Sequence, residues 1–185
     1  VLKNIDLIYN VFVKEDSAAF VTPGHEEIEL ALLKLYDYLG DEKHLELARF
    51  FINQRGNNEK DKQNQHPRFN SEYFQSDLPV REISKAVGHS VRACYLYTAM
   101  AMLAKIDGDD KLKDACDRVF DDIVNYKMSI TGGIGAEHSG EKFSYKYDLP
   151  NSDTYNETCA AISLAMFAGA MQEIEVNSHY GNIIE

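Results

Sequence analysis

The 185-residue sequence has few basic residues, few cysteines and no long apolar run, and each shortage excludes a class of protein. It contains 19 Lys and Arg against 30 Asp and Glu, so its formal net charge is −11 at pH 7. The most basic stretch, Lys60 to Arg68, is diluted by Asn, Gln and Asp61. Nucleic acids are bound through clustered Lys and Arg that displace counterions, so nucleic-acid binding is not expected.

The apolar and cysteine contents exclude two further classes. The apolar segment from Ala160 to Met171 ends at Gln172, well short of the roughly 18 residues that cross a bilayer, so no membrane span is predicted. Three cysteines, Cys94, Cys116 and Cys159, are too few for a disulfide scaffold. We expect reduced thiols or a metal ligand, and both the cytoplasm and the periplasm of a bacterium remain open as compartments.

Apolar residues recur with the helical period of 3.6 along most of the chain. The predicted helices cover about 28–39, 45–52, 83–106, 112–126 and 154–175, with a restart at Tyr180. Breaks fall at Gly40-Asp41, Gly108-Asp109 and Asn177-Ser178. Gly108 lies 68 residues after Gly40, and Asn177 lies 69 residues after Gly108, so the sequence predicts a repeat of helical hairpins.

The connections between hairpins are long and polar, over 56–79 and over the glycine-containing segment 131–153. Because each hairpin reverses direction twice, the short turns gather at one end and the long loops at the other, where function is expected. A tetratricopeptide repeat has only about 34 residues. We therefore predict an all-α fold of helical hairpins that form part of an α/α toroid, with a Gly-rich loop or small β-hairpin near 131–150. An open superhelical scaffold is the alternative.

The domain prediction follows from the same geometry. Three hairpins laid side by side leave an inner surface that only further hairpins would cover. We expect residues 1–185 to be part of an α/α toroid, truncated at both ends.

Three residues occupy nearly the same place in successive repeats. His89 follows His25 by 64 residues, and Cys159 follows His89 by 70. A lone His in an apolar helix is usually a core residue, but equivalent places in a toroid converge on one pocket. Glu26 and Glu27, next to His25, could equally serve the positive N-terminal dipole of the helix predicted to start there.

Two acidic residues are further candidates. Residues two apart on a helix point about 200° away from each other, so Glu157 and Cys159 could bind one ion only through a non-helical entry turn, and a carboxylate with a thiolate suits zinc. The alternative is an acidic helix start followed by a buried Cys. Glu141 lies in a glycine-rich loop that could approach a ligand, or it is a solvated loop charge.

Taken together, several motifs carry a resemblance to a known family. They are Gly24-His25-Glu26-Glu27-Ile28-Glu29-Leu30-Ala31, Pro79-Val80-Arg81-Glu82, Ala86-Val87-Gly88-His89, Thr131-Gly132-Gly133-Ile134-Gly135, Tyr147-Asp148-Leu149-Pro150-Asn151 and Glu157-Thr158-Cys159-Ala160. In this order and spacing the sequence resembles glycoside hydrolase family 127, the β-L-arabinofuranosidase-type enzymes, from about Val21 onwards.

The resemblance implies an α/α toroid and a retaining glycosidase with a zinc-bound cysteine nucleophile. By the matching motifs, Glu141 is expected to be the general acid/base, Glu157 and Cys159 zinc ligands, and His25 and His89 pocket residues that hold sugar hydroxyls. The family's nucleophile and remaining ligands belong to a cysteine pair further along the chain, and no Cys follows Cys159 here. Zinc binding by these 185 residues alone is therefore expected to be weak.

The implied partner is a carbohydrate, an arabinose-containing glycan, and homo-oligomerisation is left open. Two alternatives remain from the sequence. One is another toroidal sugar enzyme, such as an unsaturated glucuronyl hydrolase or an epimerase. The other is a non-catalytic helical-repeat interaction scaffold.

Overall fold

The computed structural model describes residues 1–57, 60 and 68–185, and the described part is helical. Its seven α-helices are α1 (Leu2–Tyr9), α2 (Ile28–Leu39), α3 (Glu42–Gln54), α4 (Ser90–Asp107), α5 (Asp110–Tyr126), α6 (Thr158–Ile174) and α7 (Ser178–Ile184). A π-helical turn continues α1 over Asn10–Lys14, and a 3₁₀ turn covers Ser71–Phe74. None of these helices is long and apolar enough to span a membrane.

The helices form the predicted hairpins α2/α3, α4/α5 and α6/α7. Helix α4 is the centre of the arrangement, since it packs against α2, α3, α5 and α6, while α1 packs on α3. Its buried residues lie on every side of the helix, as expected for an inner helix with neighbours all around. By contrast α5 buries one stripe, including Leu112, Val119, Phe120 and Ile123, and is an outer helix. The prediction of an all-α hairpin fold is confirmed.

The short turns have the conformations that their residues predict. Gly40 and Gly108 end α2 and α4 with φ of 69° and 64°, the left-handed region in which glycine is unstrained. Asp41 and Asp109 follow as N-caps of α3 and α5, with side chains that accept hydrogen bonds from the amides of Lys43 and Leu112. Local sequence therefore explains this end of the hairpins.

The inner helices begin later than their periodicity predicts. Helix α4 starts at Ser90 and not near Ile83, because the segment before it is irregular backbone held by tertiary bonds. Helix α6 starts at Thr158 and not at Thr154. There the amides of Tyr155 and Asn156 bond to carbonyls of the glycine-rich loop and so leave the helical path.

The long loops carry little regular structure where they are described. Isolated bridges pair Met128 with Ile134, and Lys142 with both Glu137 and His89, so the segment near 131–150 is a Gly-rich loop without strands. In the other long loop, residues 58–59 and 61–67 lie outside the described part, including most of the stretch from Lys60 to Arg68.

Candidate active site

A buried ion pair holds the segment that leads into α4. The Lys127 ammonium lies 2.8 Å from an Asp122 carboxylate oxygen, and both side chains are more than nine-tenths buried. The Ala86 amide donates to Asp122 at 2.9 Å, and Lys127 donates to the Ala86 carbonyl at 2.7 Å. Both backbone polar groups of one residue are thus satisfied by the pair, which fixes the chain three residues before His89.

His89 follows a glycine that the local packing requires. Gly88 has φ +71°, and a Cβ there would lie 2.1 Å from the Glu72 carbonyl oxygen. The His89 amide bonds to the Tyr73 carbonyl, and its ring meets the Tyr73 ring edge-on at 5.8 Å. Burial and the nearby Arg92 lower the pKa of His89 despite the opposing effect of Glu141, so the imidazole is neutral at pH 7.

Glu141 lies directly against His89. Its Oε2 is 2.9 Å from His89 Nε2, and its side chain is 41% exposed and therefore open to a ligand. Its backbone has φ +52°, an unfavourable region for a non-glycine residue. The Ser90 amide and hydroxyl both donate to the Glu141 carbonyl, which holds this conformation at the start of α4.

A second carboxylate joins the first through a tyrosine. The Tyr155 hydroxyl lies 3.0 Å from Glu141 Oε1 and 3.2 Å from Glu157 Oε1. These two bonds, the Glu141 contact first, raise the pKa of Tyr155 to about 12. The Oε2 atom of Glu157 is buried and has no hydrogen-bond partner among the described residues.

Cys159 is the second residue of α6 and is exposed. Burial of the thiol and, after it, the neighbouring Glu157 raise the pKa of Cys159. Glu157 is the N-cap of α6, with extended backbone at φ −62° and ψ 143°. The non-helical entry turn that a shared ion would require is therefore present.

His25 lies on an exposed turn, two residues before the N-cap of α2. Its ring is 6.2 Å from that of Tyr95 on α4. Arg92 donates to the Gly24 carbonyl, and burial followed by the charge of Arg92 lowers the pKa of His25. The structure thus brings His89, Glu141 and Glu157 together, with Cys159 two residues after Glu157 at the start of α6. His25 lies apart from this cluster, beside Tyr95 of α4.

Sequence reasoning missed two parts of this region. The sequence offers no signal for the position of the Tyr155 hydroxyl, which lies within hydrogen-bond distance of both carboxylates. Glu26 was considered for the helix dipole, but α2 begins only at Ile28, and Glu26 is fully buried in an ion cluster with Glu29 and Arg55. The only available signal for that cluster was the spacing of three residues between Glu26 and Glu29, which exposed Glu27 separates.

The donor atoms of this region suit a cation in two combinations. Donor atoms of His89, Glu141 and Glu157 all lie within 4.8 Å of one another. The predicted pair, Glu157 and Cys159, offers the carboxylate and sulfur donors that zinc accepts, and the unpartnered Oε2 of Glu157 is a free acceptor for an ion. The residues therefore fit a zinc ion.

The all-helical hairpin fold matches solved glycoside hydrolases. A family 127 β-L-arabinofuranosidase from Geobacillus stearothermophilus T6 is 41% identical and has a TM-score of 0.93 over 99% of this chain and 30% of that one. A second family 127 β-arabinofuranosidase is 38% identical with a TM-score of 0.88, over 99% of this chain and 27% of its own. The fold is thus that of part of a glycoside hydrolase.

Sequence comparison gives the family. The profile described as β-L-arabinofuranosidase, GH127 catalytic domain, matches residues 2–185. A non-reducing end β-L-arabinofuranosidase from Bifidobacterium longum subsp. longum is 37% identical over 99% of this chain and 30% of its own length. The chain belongs to glycoside hydrolase family 127, and it spans about 30% of the length of these relatives.

Proposed function

We propose that the complete enzyme containing this chain is a retaining, zinc-dependent β-L-arabinofuranosidase, with Glu141 as general acid/base and a cysteine nucleophile outside these 185 residues. The similar proteins named above as β-L-arabinofuranosidases support the substrate, an arabinose-containing glycan. The observation that carries the assignment of Glu141 is its half-exposed carboxyl group, bonded on one oxygen to His89 and on the other to Tyr155.

Glu141 has the properties that an acid/base needs. In the first step it protonates the departing glycosidic oxygen, and in the second it takes a proton from the attacking water. A neutral His89 can donate from Nε2 to Glu141 without adding a positive charge that would favour the ionised form. Exposure of the Glu141 side chain lets the leaving oxygen approach.

The separation of the two glutamates excludes one alternative, in which they act together as an inverting pair. Such a pair is about 6.5–9.5 Å apart, so that a water molecule fits between the sugar and the base. Carboxylate oxygens of Glu141 and Glu157 lie within 4.8 Å of each other. Glu157 is therefore assigned to the metal and not to the activation of water.

Glu157 and Cys159 would hold the zinc ion, together with ligands from the rest of the enzyme. Zinc in such a site keeps a bound thiol deprotonated and hence nucleophilic. We favour this pair over the cluster of His89, Glu141 and Glu157, because a metal on Glu141 would prevent proton transfer. The raised pKa of Cys159 shows that its thiol is neutral without a nearby cation.

His25 and His89 would hold sugar hydroxyls beside the reacting bond. Both have lowered pKa values because of burial and Arg92. A neutral imidazole both donates and accepts, as a sugar hydroxyl does, so it matches a polyol better than a permanent cation.

The test is Glu141→Gln in the complete enzyme, measured with two kinds of leaving group. Hydrolysis of alkyl or sugar arabinofuranosides should fall by about 10²- to 10⁴-fold, the range of general acid catalysis. Activated aryl arabinofuranosides need less protonation and should lose less in the first step. Glu137→Gln, in the same loop, is the matched control and should leave both rates unchanged. Equal losses on both substrates would remove Glu141 from the acid role.

Metal analysis tests the ligands separately. Cys159→Ser in the complete enzyme should abolish stoichiometric zinc, whereas His89→Ala should retain it. The opposite result would assign the metal to the cluster of His89, Glu141 and Glu157. The 185-residue chain alone should bind zinc weakly and hydrolyse no arabinofuranoside, since it supplies only two of the four ligands of a closed site.

A further inference from the structure

The Tyr155 hydroxyl is the only group among the described residues that lies within hydrogen-bond distance of both carboxylates of the site, and its single proton is donated to one of them at a time. We propose that Tyr155 is a positioning residue that holds the carboxyl group of Glu141 in its orientation beside Glu157. The inference rests on the proposed role of Glu141 as acid/base and adds a residue to which no role has been assigned.

The backbone of Tyr155 is fixed independently of the carboxylates. Its amide donates to the Ala136 carbonyl, and the Asn156 amide donates to the Gly135 carbonyl, both at 3.1 Å. Asn156 has φ +41°, and its side chain donates to the Ser129 hydroxyl at 2.7 Å. These bonds join the segment that leads into α6 to the Gly-rich loop. The position of the Tyr155 hydroxyl is therefore fixed independently of its contact with Glu141.

Glu141 depends on that hydroxyl for its orientation. Its Oε2 contacts His89 and its Oε1 contacts Tyr155, with one hydrogen bond at each oxygen. The terminal torsion of a glutamate is broad, and at 41% exposure packing does not restrain it. Without the Tyr155 bond, the carboxyl group can turn about its contact with His89, and the oxygen that faces the leaving group is no longer defined.

The Tyr155 hydroxyl also lies beside Glu157, the proposed zinc ligand. The same hydroxyl lies 3.2 Å from Glu157 Oε1, so one oxygen atom sets the distance between the proton-transferring group and the carboxylate that would bind the metal. Placement errors near 1 Å in such a constellation cost about 10²-fold in rate. A residue that fixes this distance therefore affects the rate without contacting substrate.

Tyr155→Phe in the complete enzyme tests this role, because it removes the hydroxyl and retains the ring, which meets the His138 ring edge-on at 5.4 Å. The matched control is Tyr145→Phe, at a tyrosine of the same loop that is 74% exposed. We expect kcat on alkyl arabinofuranosides to fall about 10- to 100-fold, a part of the general acid contribution. Activated aryl substrates should lose several-fold less, KM should stay within a factor of about two, and the zinc content should not change.

Three outcomes would overturn the proposal. They are an unchanged kcat, a rise in KM alone, and equal losses on both classes of substrate, which a general structural defect would produce. Failure of the proposed function is recognised separately, because Glu141→Gln would then show no dependence on the leaving group. In that case a crystal structure of the Tyr155→Phe enzyme decides: a displaced Glu141 carboxyl group supports the positioning role, and an unmoved one rejects it.

Discussion

The short-turn end and the long-loop end of the hairpins both depend on glycine, but for different reasons. At Gly40 and Gly108 a Cβ would meet nothing within 4 Å, so only the positive φ requires glycine. At Gly88 and Gly135 the Cβ would lie 2.1 Å from the Glu72 carbonyl oxygen and 2.4 Å from the Ser90 hydroxyl. At the short turns, glycine is thus required only by the local backbone conformation. In the long loops it is also required because segments that are distant in sequence approach each other closely.

Charge and strain show the same contrast. The ion pairs Arg49–Asp107 and Lys105–Glu173 at the short turns are partly exposed, whereas the Asp122–Lys127 pair and the cluster of Glu26, Glu29 and Arg55 at the loop end are buried. Among the described residues, those of the long loops and of the segment that leads into α6 include four non-glycine residues with positive φ, namely Gln75, Glu141, Tyr147 and Asn156. Such strain persists only where the surroundings hold it, and it concentrates at functional sites.

Removal of a buried charge should give the largest difference between the two ends. Asp122→Ala leaves Lys127 buried without its partner, and the free energy of unfolding should fall by about 3–5 kcal/mol. Asp107→Ala breaks the partly exposed pair with Arg49 and should cost about 0.2–1 kcal/mol. Urea denaturation of both variants measures the two values. Similar costs would mean that burial does not distinguish the two pairs.

Replacement of a glycine by alanine should give the second largest difference in stability between the two ends. Gly108→Ala costs only the left-handed conformation, about 1–2 kcal/mol. Gly88→Ala has the same conformational cost and in addition about 1–3 kcal/mol of overpacking, because the Glu72 carbonyl must move. It should also lower activity, since His89 follows directly. Thermal unfolding with kinetics tests both, and full activity of Gly88→Ala would show that this loop can shift freely.

The pH dependence of stability should differ in sign between the ends. Burial raises the pKa of Glu26 from about 4.5 to about 7, against the opposing effect of Arg55. Between these two values the folded state binds more protons than the unfolded state, so the free energy of unfolding falls as pH rises, by at most about 1.4 kcal/mol per pH unit. Glu26→Gln should remove this decline. A variant with the same slope as the parent would assign the titration to another group.

The smallest effect concerns an N-cap at the short turns. Although burial opposes it, the Leu112 amide and then Arg81 lower the pKa of Asp109. The stabilisation from its ionised form is complete above the unfolded pKa of about 3.9 and is lost as pH falls through the lower folded value. Asp109→Ala should cost about 1 kcal/mol at pH 7. Asp109→Asn retains an N-cap acceptor and should cost less, so equal losses would point to the Arg81 pair.

The parts that sequence predicts well are those with local causes. The hairpin period and the breaks at Gly40 and Gly108 follow from apolar spacing and turn chemistry, and the structure confirms them. The helix starts near 83 and 154 were wrong, because periodicity continued through segments whose amides bond elsewhere. The roles assigned to Glu141, Glu157 and Cys159 came from resemblance and stay predictions.

What the sequence alone determined is the helical hairpins from α2 to α7 and their order, which depend on spacing along the chain, and the resemblance to the family, which depends on the motifs. Only the tertiary structure decided that Glu26 pairs with Arg55, that a buried Asp122–Lys127 pair holds Ala86, and that Tyr155 joins Glu141 to Glu157. These contacts connect segments that are far apart in sequence or leave the helical path, and neither periodicity nor propensity contains the distance between two such segments.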